Sequence, residues 1–229
     1  RALDYAPDGH PLSDSVSVGG SDYTLFEKYD NLDRMAGYAL SNKVSGASSP
    51  VAGSAQTHDD ANRLGGVSVS GASGDFVYGY TPGSDLQSRL AMPNGVTRET
   101  VYEPHRDLLS SVSHTNATGV ILTQRVYARD AAGLLAGRTQ YRCGDRTNRL
   151  DAFGYNTRSE LIFAALGTNG YSYAFDPAGN RLTADEPDLS AAYSANRLNQ
   201  YSCISNSVPP AEFVPEFDAD GNQTLLKTA

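Results

Sequence analysis

Tyr173-Ala174-Phe175-Asp176-Pro177-Ala178-Gly179-Asn180-Arg181-Leu182-Thr183 is the stretch whose reading decides the fold. An aromatic residue is followed by Asp, then by a turn of Pro, Gly and Asn, then by Leu. Asp and Asn bond to nearby backbone, Pro presets φ, and Gly reaches positive φ at no steric cost, so together they specify a turn. Just before it, Tyr171, Tyr173 and Phe175 alternate with Ser172 and Ala174. That two-residue period is the mark of a half-buried strand.

Working outward, the same pattern recurs along the chain. Phe217-Asp218-Ala219-Asp220-Gly221-Asn222 repeats its first half. Tyr29-Asp30 with Arg34-Met35, and Tyr127 with Asp130, Gly133 and Leu135, are further copies. Degenerate ones begin at Tyr5, His58, Tyr80, Tyr102, Tyr155 and Tyr193. Aromatic or His anchors at 5, 29, 58, 80, 102, 127, 155 and 175 are 20 to 29 residues apart. A recurring period means a repeat architecture, in which each unit buries its apolar face only against its neighbours.

A period of about 24 residues fits one β-hairpin, with strands of roughly 8 residues and about 27 Å. Asn94-Gly95 and Asn169-Gly170 are hairpin-turn signals, the latter closing Leu161 to Leu166 against Tyr171 to Phe175. Fourteen Tyr, 7 Phe and no Trp agree with pleated surfaces. No long window keeps an apolar 3.6 period, and Gly133 and Gly137 argue against a helix after Asp130. The expected fold is all-β: consecutive antiparallel hairpins forming a curved, open strip. Residues 1–229 read as a single array of about nine repeats. Within it, 45–74 is a loop-rich, degenerate segment, and Ser45 to Ala55 and Ser68 to Gly74 read as flexible linkers. Arg1 at the start, and an end soon after Gly221, suggest an internal fragment.

A net charge of −8 with scattered basic residues disfavours nucleic acid as a partner. No apolar stretch approaches 18 residues, so no helical membrane span is expected. Cys143 and Cys203 lack metal-ligand spacing, and a disulfide between them would need adjacent strands. His58-Asp59-Asp60 could hold a metal or an acid–base pair, but it stands where other copies carry Tyr-Asp, so a degenerate turn is the better reading. His10, His105 and His114 form no ligand pattern. Asp218-Ala219-Asp220-Gly221-Asn222 opens like a calcium loop but lacks the closing Glu of an EF-hand. The chain has no G-x-S-x-G elbow and no phosphate loop. No catalytic, cofactor or metal residues are assigned, and an enzyme is not expected.

The series resembles the YD repeat of the RHS family. Tyr29, Asp30, Tyr127, Asp130, Gly133, Tyr173, Phe175, Asp176, Gly179, Arg181, Leu182, Phe217, Asp218 and Gly221 carry the match as structural motif residues. The family includes bacterial polymorphic toxins, shell-forming subunits of insecticidal toxin complexes and teneurins. The resemblance implies hairpins wound into a hollow β-shell that, in the toxins, encloses a C-terminal toxic polypeptide. It implies a secreted or cell-surface parent, whose other repeats and C-terminal domain are the partners. The family's self-cleaving boundary segment is not found here, so that activity is not implied. The alternative reading is an extracellular adhesion or carbohydrate-binding module, with glycans as partners stacked on a row of solvent-facing tyrosines.

Overall fold

The computed structural model describes residues 1–44, 47–145, 147–208 and 210–225. Contacts divide the chain into two units, residues 1–123 and 124–229.

The first unit carries β1 (Ala2–Tyr5), β2 (Pro11–Val18), β3 (Ser21–Tyr29), β4 (Met35–Val44), β5 (Ala47–His58), β6 (Leu64–Val69), β7 (Phe76–Tyr80), β8 (Gln87–Ala91), β9 (Thr97–Glu103) and β10 (Arg106–Thr115). Each pairs antiparallel with its chain neighbour from β1 to β10. β11 (Ile121–Arg129) straddles the division. The second unit continues with β12 (Leu135–Arg142), β13 (Arg149–Tyr155), β14 (Leu161–Leu166), β15 (Asn169–Phe175), β16 (Arg181–Glu186), β17 (Leu189–Ala195), β18 (Tyr201–Val208) and β19 (Pro210–Phe213). These also pair in chain order, all antiparallel. The protein is therefore all-β, with no helix among the described residues. Strands run from 4 to 12 residues, a wider spread than the uniform 8 expected.

In such a meander every second turn falls at the same end of the sheet. Call the turns after β1, β3, β5, β7 and β9 in the first unit the motif end. In the second unit the motif end holds the turns after β11, β13, β15, β17 and β19.

Burial is sparse. Gly37, Thr100, Asp151, Ala164, Ala184, Ala191 and Pro215 are the buried residues among those described, and no large side chain is fully enclosed. Tyr171 lies opposite Ala164, and Tyr173 opposite Ala184, which faces Ala191. Small residues thus pair across the strands with half-buried tyrosines, while Ser172, between those tyrosines, is exposed. Among the described residues a strand touches only its chain neighbours within each unit, and they form a single layer without a central core.

Three expectations change. Most of the supposed linker at 45–55 is strand: residues 47–55 belong to β5, paired to β4 through Gly37↔Ala55 and Ala39↔Gly53. The pairing is close: a side chain on Gly37 of β4 (φ +141°) would meet the Ser54 carbonyl oxygen, and one on Gly53 of β5 would crowd the Tyr38 carbonyl oxygen. Residues 45 and 46 lie outside the described residues. The second linker is half right, since Ser68 and Val69 end β6 and the turn begins at Ser70. The hairpin expected to turn at Asn169-Gly170 turns instead at Gly167-Thr168, with Leu166 opposite Asn169. Gly167 is at φ +65° and its N–H donates to the Leu150 carbonyl (3.1 Å) and to Asp151 Oδ1 (3.1 Å). Glycine first in a two-residue loop suits a type II′ turn.

Gly37→Ala is expected to destabilise the first unit by about 3 kcal/mol, because it combines backbone strain with a clash against a neighbouring carbonyl. Urea denaturation followed by far-ultraviolet circular dichroism measures it.

Candidate functional site

The recurring structure is the motif-end turn. In the sharpest copy, Asp176 N–H donates to Asn180 O (2.9 Å) and Gly179 N–H to Asp176 O (3.1 Å). Pro177 stands second and Gly179 is left-handed at φ +90°. This is a type I turn closed by a left-handed residue, the three-residue hairpin loop that carries a bulge. The expected bulge is present between Ala174 and Phe175. Asp176 fixes the turn with its carboxylate: Oδ1 accepts from the backbone N–H of Ala178 (2.8 Å) and Asn180 (2.9 Å), and Oδ2 from Asn180 Nδ2 (2.9 Å). The Asn180 side-chain bond, with these N–H donors, lowers the Asp176 pKa.

The same bonds recur at Asp30, Asp59, Asn156, Asn196 and Asp218, whose side-chain oxygens accept from the N–H two and four residues on. Asp130 accepts from Leu134 N–H (2.8 Å), and Gly133 is left-handed. At Asp30 the Arg34 side chain, helped by the backbone donors, holds the carboxyl at about 2. Where glycine is missing, Asp33, Asn62, Ser159 and Asn199 adopt the left-handed conformation instead, which Asn and Asp tolerate best.

The aromatic residue of the motif does a different job. At 80, 102 and 155 it ties its hairpin to the previous one. Tyr80 OH donates to Leu64 O (2.8 Å), Tyr102 OH to Gln87 O (3.1 Å) and Tyr155 OH to Leu135 O (3.1 Å). Arg181 N–H donates to Tyr201 Oη (2.9 Å). The residues closing three of the turns reach onward to the next, two of them to its left-handed residue (Asn62 and Asn199) and one to Ser84, which follows the left-handed Gly83. Arg34 Nη1 donates to Asn62 Oδ1 (2.6 Å), Arg63 Nη1 to Ser84 O, and Asn180 Nδ2 to Asn199 Oδ1 (3.2 Å). Arg63 also covers the Tyr80 ring (4.3 Å), and Arg181 lies over Tyr173 (4.8 Å) and Tyr193 (5.8 Å). Such cation–ring contacts contribute about 0.5–1 kcal/mol each where exposed.

The remaining motif residues divide by role. Tyr29 donates to Glu27 Oε2 (2.7 Å) and Tyr173 to Glu186 Oε1 (3.1 Å). Phe175 sits at the bulge. Leu182 is 42% exposed, so it is no core residue. Phe217 forms a bridge with Gln223, and Gly221 is left-handed. Tyr127 lies two positions ahead of the place that Tyr29 and Phe175 occupy; Arg129 takes that place and donates to Gly133 O (3.0 Å). His58 also takes the aromatic place, with Nδ1 3.8 Å from Asp30 Oδ2 of the preceding turn, while Asp59 closes its own turn. Asp218 is spent on its turn in the same way. Cys143, in the turn after β12, and Cys203, on β18, are both free thiols.

One cluster escapes a reading by repeats. Asp151 has a fully shielded side chain. It accepts from Arg138 Nη2 (2.7 Å), Gln140 Nε2 (2.8 Å), Arg149 Nε (2.9 Å) and Gly167 N–H (3.1 Å). Burial pushes its pKa up, but bonds from Arg149, Arg138 and Gln140 outweigh that and hold it at about 2. An acid so firmly ionised and surrounded by donors is a clamp between β12, β13 and the turn after β14. It is not a proton donor at neutral pH.

No model of a known protein family matches the chain, and no curated protein matches it in sequence. Its fold is similar to that of solved toxin-complex chains. A crystal structure of TcdB2–TccC3 without its hypervariable C-terminal region gives a TM-score of 0.55 at 15% identity, over 98% of this chain and 14% of that one. The TcdB2–TccC3–Cdc42 crystal structure gives 0.53 at 12%, over 94% and 12%. A Tc holotoxin pore of Photorhabdus luminescens carrying a TccC3 mutation gives 0.51 at 14%, over 85% and 9%. The chain therefore spans at most about one-seventh of these chains, and the likeness is one of fold.

Asp151→Asn is expected to cost about 2 kcal/mol at pH 7, from weakened charged hydrogen bonds. The depressed folded pKa means this stabilisation is full above about pH 4, where the unfolded carboxyl ionises. It is lost as pH falls through 2. Urea midpoints at pH 7, 4 and 2.5 are expected to converge for wild type and variant at the acid end.

Proposed function

We propose that this chain is a non-catalytic wall segment of a larger, secreted or surface-displayed protein of the RHS type. That wall would surround a C-terminal toxic or effector domain of the same parent chain. The observation that carries the reading is the fold likeness over 85–98% of this chain to toxin-complex chains many times its length. The internal chemistry supports it. The motif carboxylates are spent on turns, and the tyrosine hydroxyls at 80, 102 and 155 on neighbouring backbone. Polar groups committed to holding hairpins together are not arranged around a substrate. In this reading the partners are the neighbouring hairpins and the enclosed domain.

The adhesion reading has less to stand on. It needs a row of solvent-facing tyrosines, and among the described residues only Tyr5 and Tyr38 stand out as exposed ones.

The test is limited proteolysis of the parent protein with its C-terminal domain attached. That domain is expected to resist protease until the β-wall is unfolded, whereas the same domain expressed alone is digested at once. Equal digestion rates in the two settings would contradict an enclosing wall.

A further inference from the structure

We propose that Asp8, His10 and Asp33 form a binding site for a first-row divalent cation, of the Zn²⁺ or Co²⁺ kind, that bridges the first two motif-end turns. One donor atom from each of the three lies within 4.8 Å of the others. His10 Nδ1 is 3.3 Å from Asp8 Oδ1. Metal bonds of ~2.0–2.1 Å in a tetrahedral site place neighbouring ligand atoms about 3.3–3.4 Å apart, so this pair already has the required bite. Bringing Asp33 in takes a rotation of one exposed side chain. The His10 ring is braced by Tyr29, with ring centroids 4.7 Å apart.

The position within the repeat sharpens the case. His10 closes its turn, and Asp33 is the left-handed residue of the next. Arg34 and Asn62, and Asn180 and Asn199, make that same link by a direct hydrogen bond. At the first junction the link is an imidazole and two carboxylates, all metal-binding groups and none of them a fixed cation. One imidazole nitrogen with two carboxylate oxygens selects borderline ions over Ca²⁺ or Mg²⁺, which prefer all-oxygen shells. Water fills the open positions. The ion would do for this pair of hairpins what Arg34 does for the next.

Asp33 also supplies the decisive variant. It sits at φ +57°, where the equivalent turns carry Gly9, Gly133, Gly179 and Gly221. Asp33→Gly therefore removes a ligand while relieving backbone strain, and the variant folds at least as well. The experiment is titration of the full chain with Co²⁺, read by visible absorption, and with Zn²⁺, read by calorimetry and by melting temperature with and without EDTA. One ion per chain is expected, with a melting temperature that rises on Zn²⁺ addition and returns with EDTA. Affinity is expected to fall on acidification, since imidazole must be neutral to ligate. Asp33→Gly is expected to melt no lower than wild type in EDTA, yet to bind roughly tenfold or more weakly, as is His10→Ala. The absence of saturable binding overturns the proposal. So does wild-type affinity in both variants, which would place the ion elsewhere, such as at the exposed Cys143.

Discussion

A side-chain oxygen accepting two backbone N–H groups across a five-residue turn is the constraint on which the rest of this structure depends. Asp30, Asp59, Asn156, Asp176, Asn196 and Asp218 each make this bond pair. In these copies it fixes where the hairpin reverses, and the bulge beside it fixes register. A one-residue slip would send every side chain to the opposite face. Beside such turns Tyr155 finds the Leu135 carbonyl, and Arg34 and Asn180 find the next turn; Tyr80 and Tyr102 make the same backward bond beside turns without that cap. The repeat therefore uses three kinds of joint, shared unevenly among its copies: a cap, a backward tie and a forward tie.

Energetically, this is how a sheet without a core stands up. Among the described residues the buried apolar ones are three alanines and Pro215, and the tyrosines paired across from the alanines are only half covered. Each lateral contact is small: cross-strand pairs contribute roughly 0.2–1 kcal/mol. Isolated hairpins are marginal in water, so stability must be collective and shared between neighbours. The Asp151 clamp fits that logic. It adds a firmly ionised carboxylate between β12, β13 and the β14 turn, where Leu150 and Ile162 are exposed and contribute little burial.

What was legible in the sequence is what is local. Asp176-Pro177-Ala178-Gly179 declares its turn because cap, φ preset and left-handed residue lie within four positions. The all-β class and the hairpin period followed from such turns. The β5 strand was hidden because Ala47 to Ala55 is rich in Ser, Gly and Ala, residues that also make linkers; the close backbone approach at Gly37 and Gly53 shows itself only once β4 and β5 are paired. The hairpin turn after β14 was misplaced by two residues because Gly167-Thr168 and Asn169-Gly170 can both reverse the chain. The Gly167 N–H bonds to Leu150 and Asp151 decide between them, and they are long-range. Asp151 itself was missed for the same reason: its four donors come from β12, β13 and a distant turn. Asp8, His10 and Asp33 likewise meet only when two turns stand side by side.

The central claim is that each hairpin is held by its neighbours and not by a shared core. Native-state hydrogen exchange, resolved by residue, tests it most directly. The account predicts graded protection in the first unit, with β1 amides exchanging fastest, those of β2 slower, and those of β3 and β4 slowest. Uniform protection from β1 through β10, lost in a single cooperative step, would contradict it.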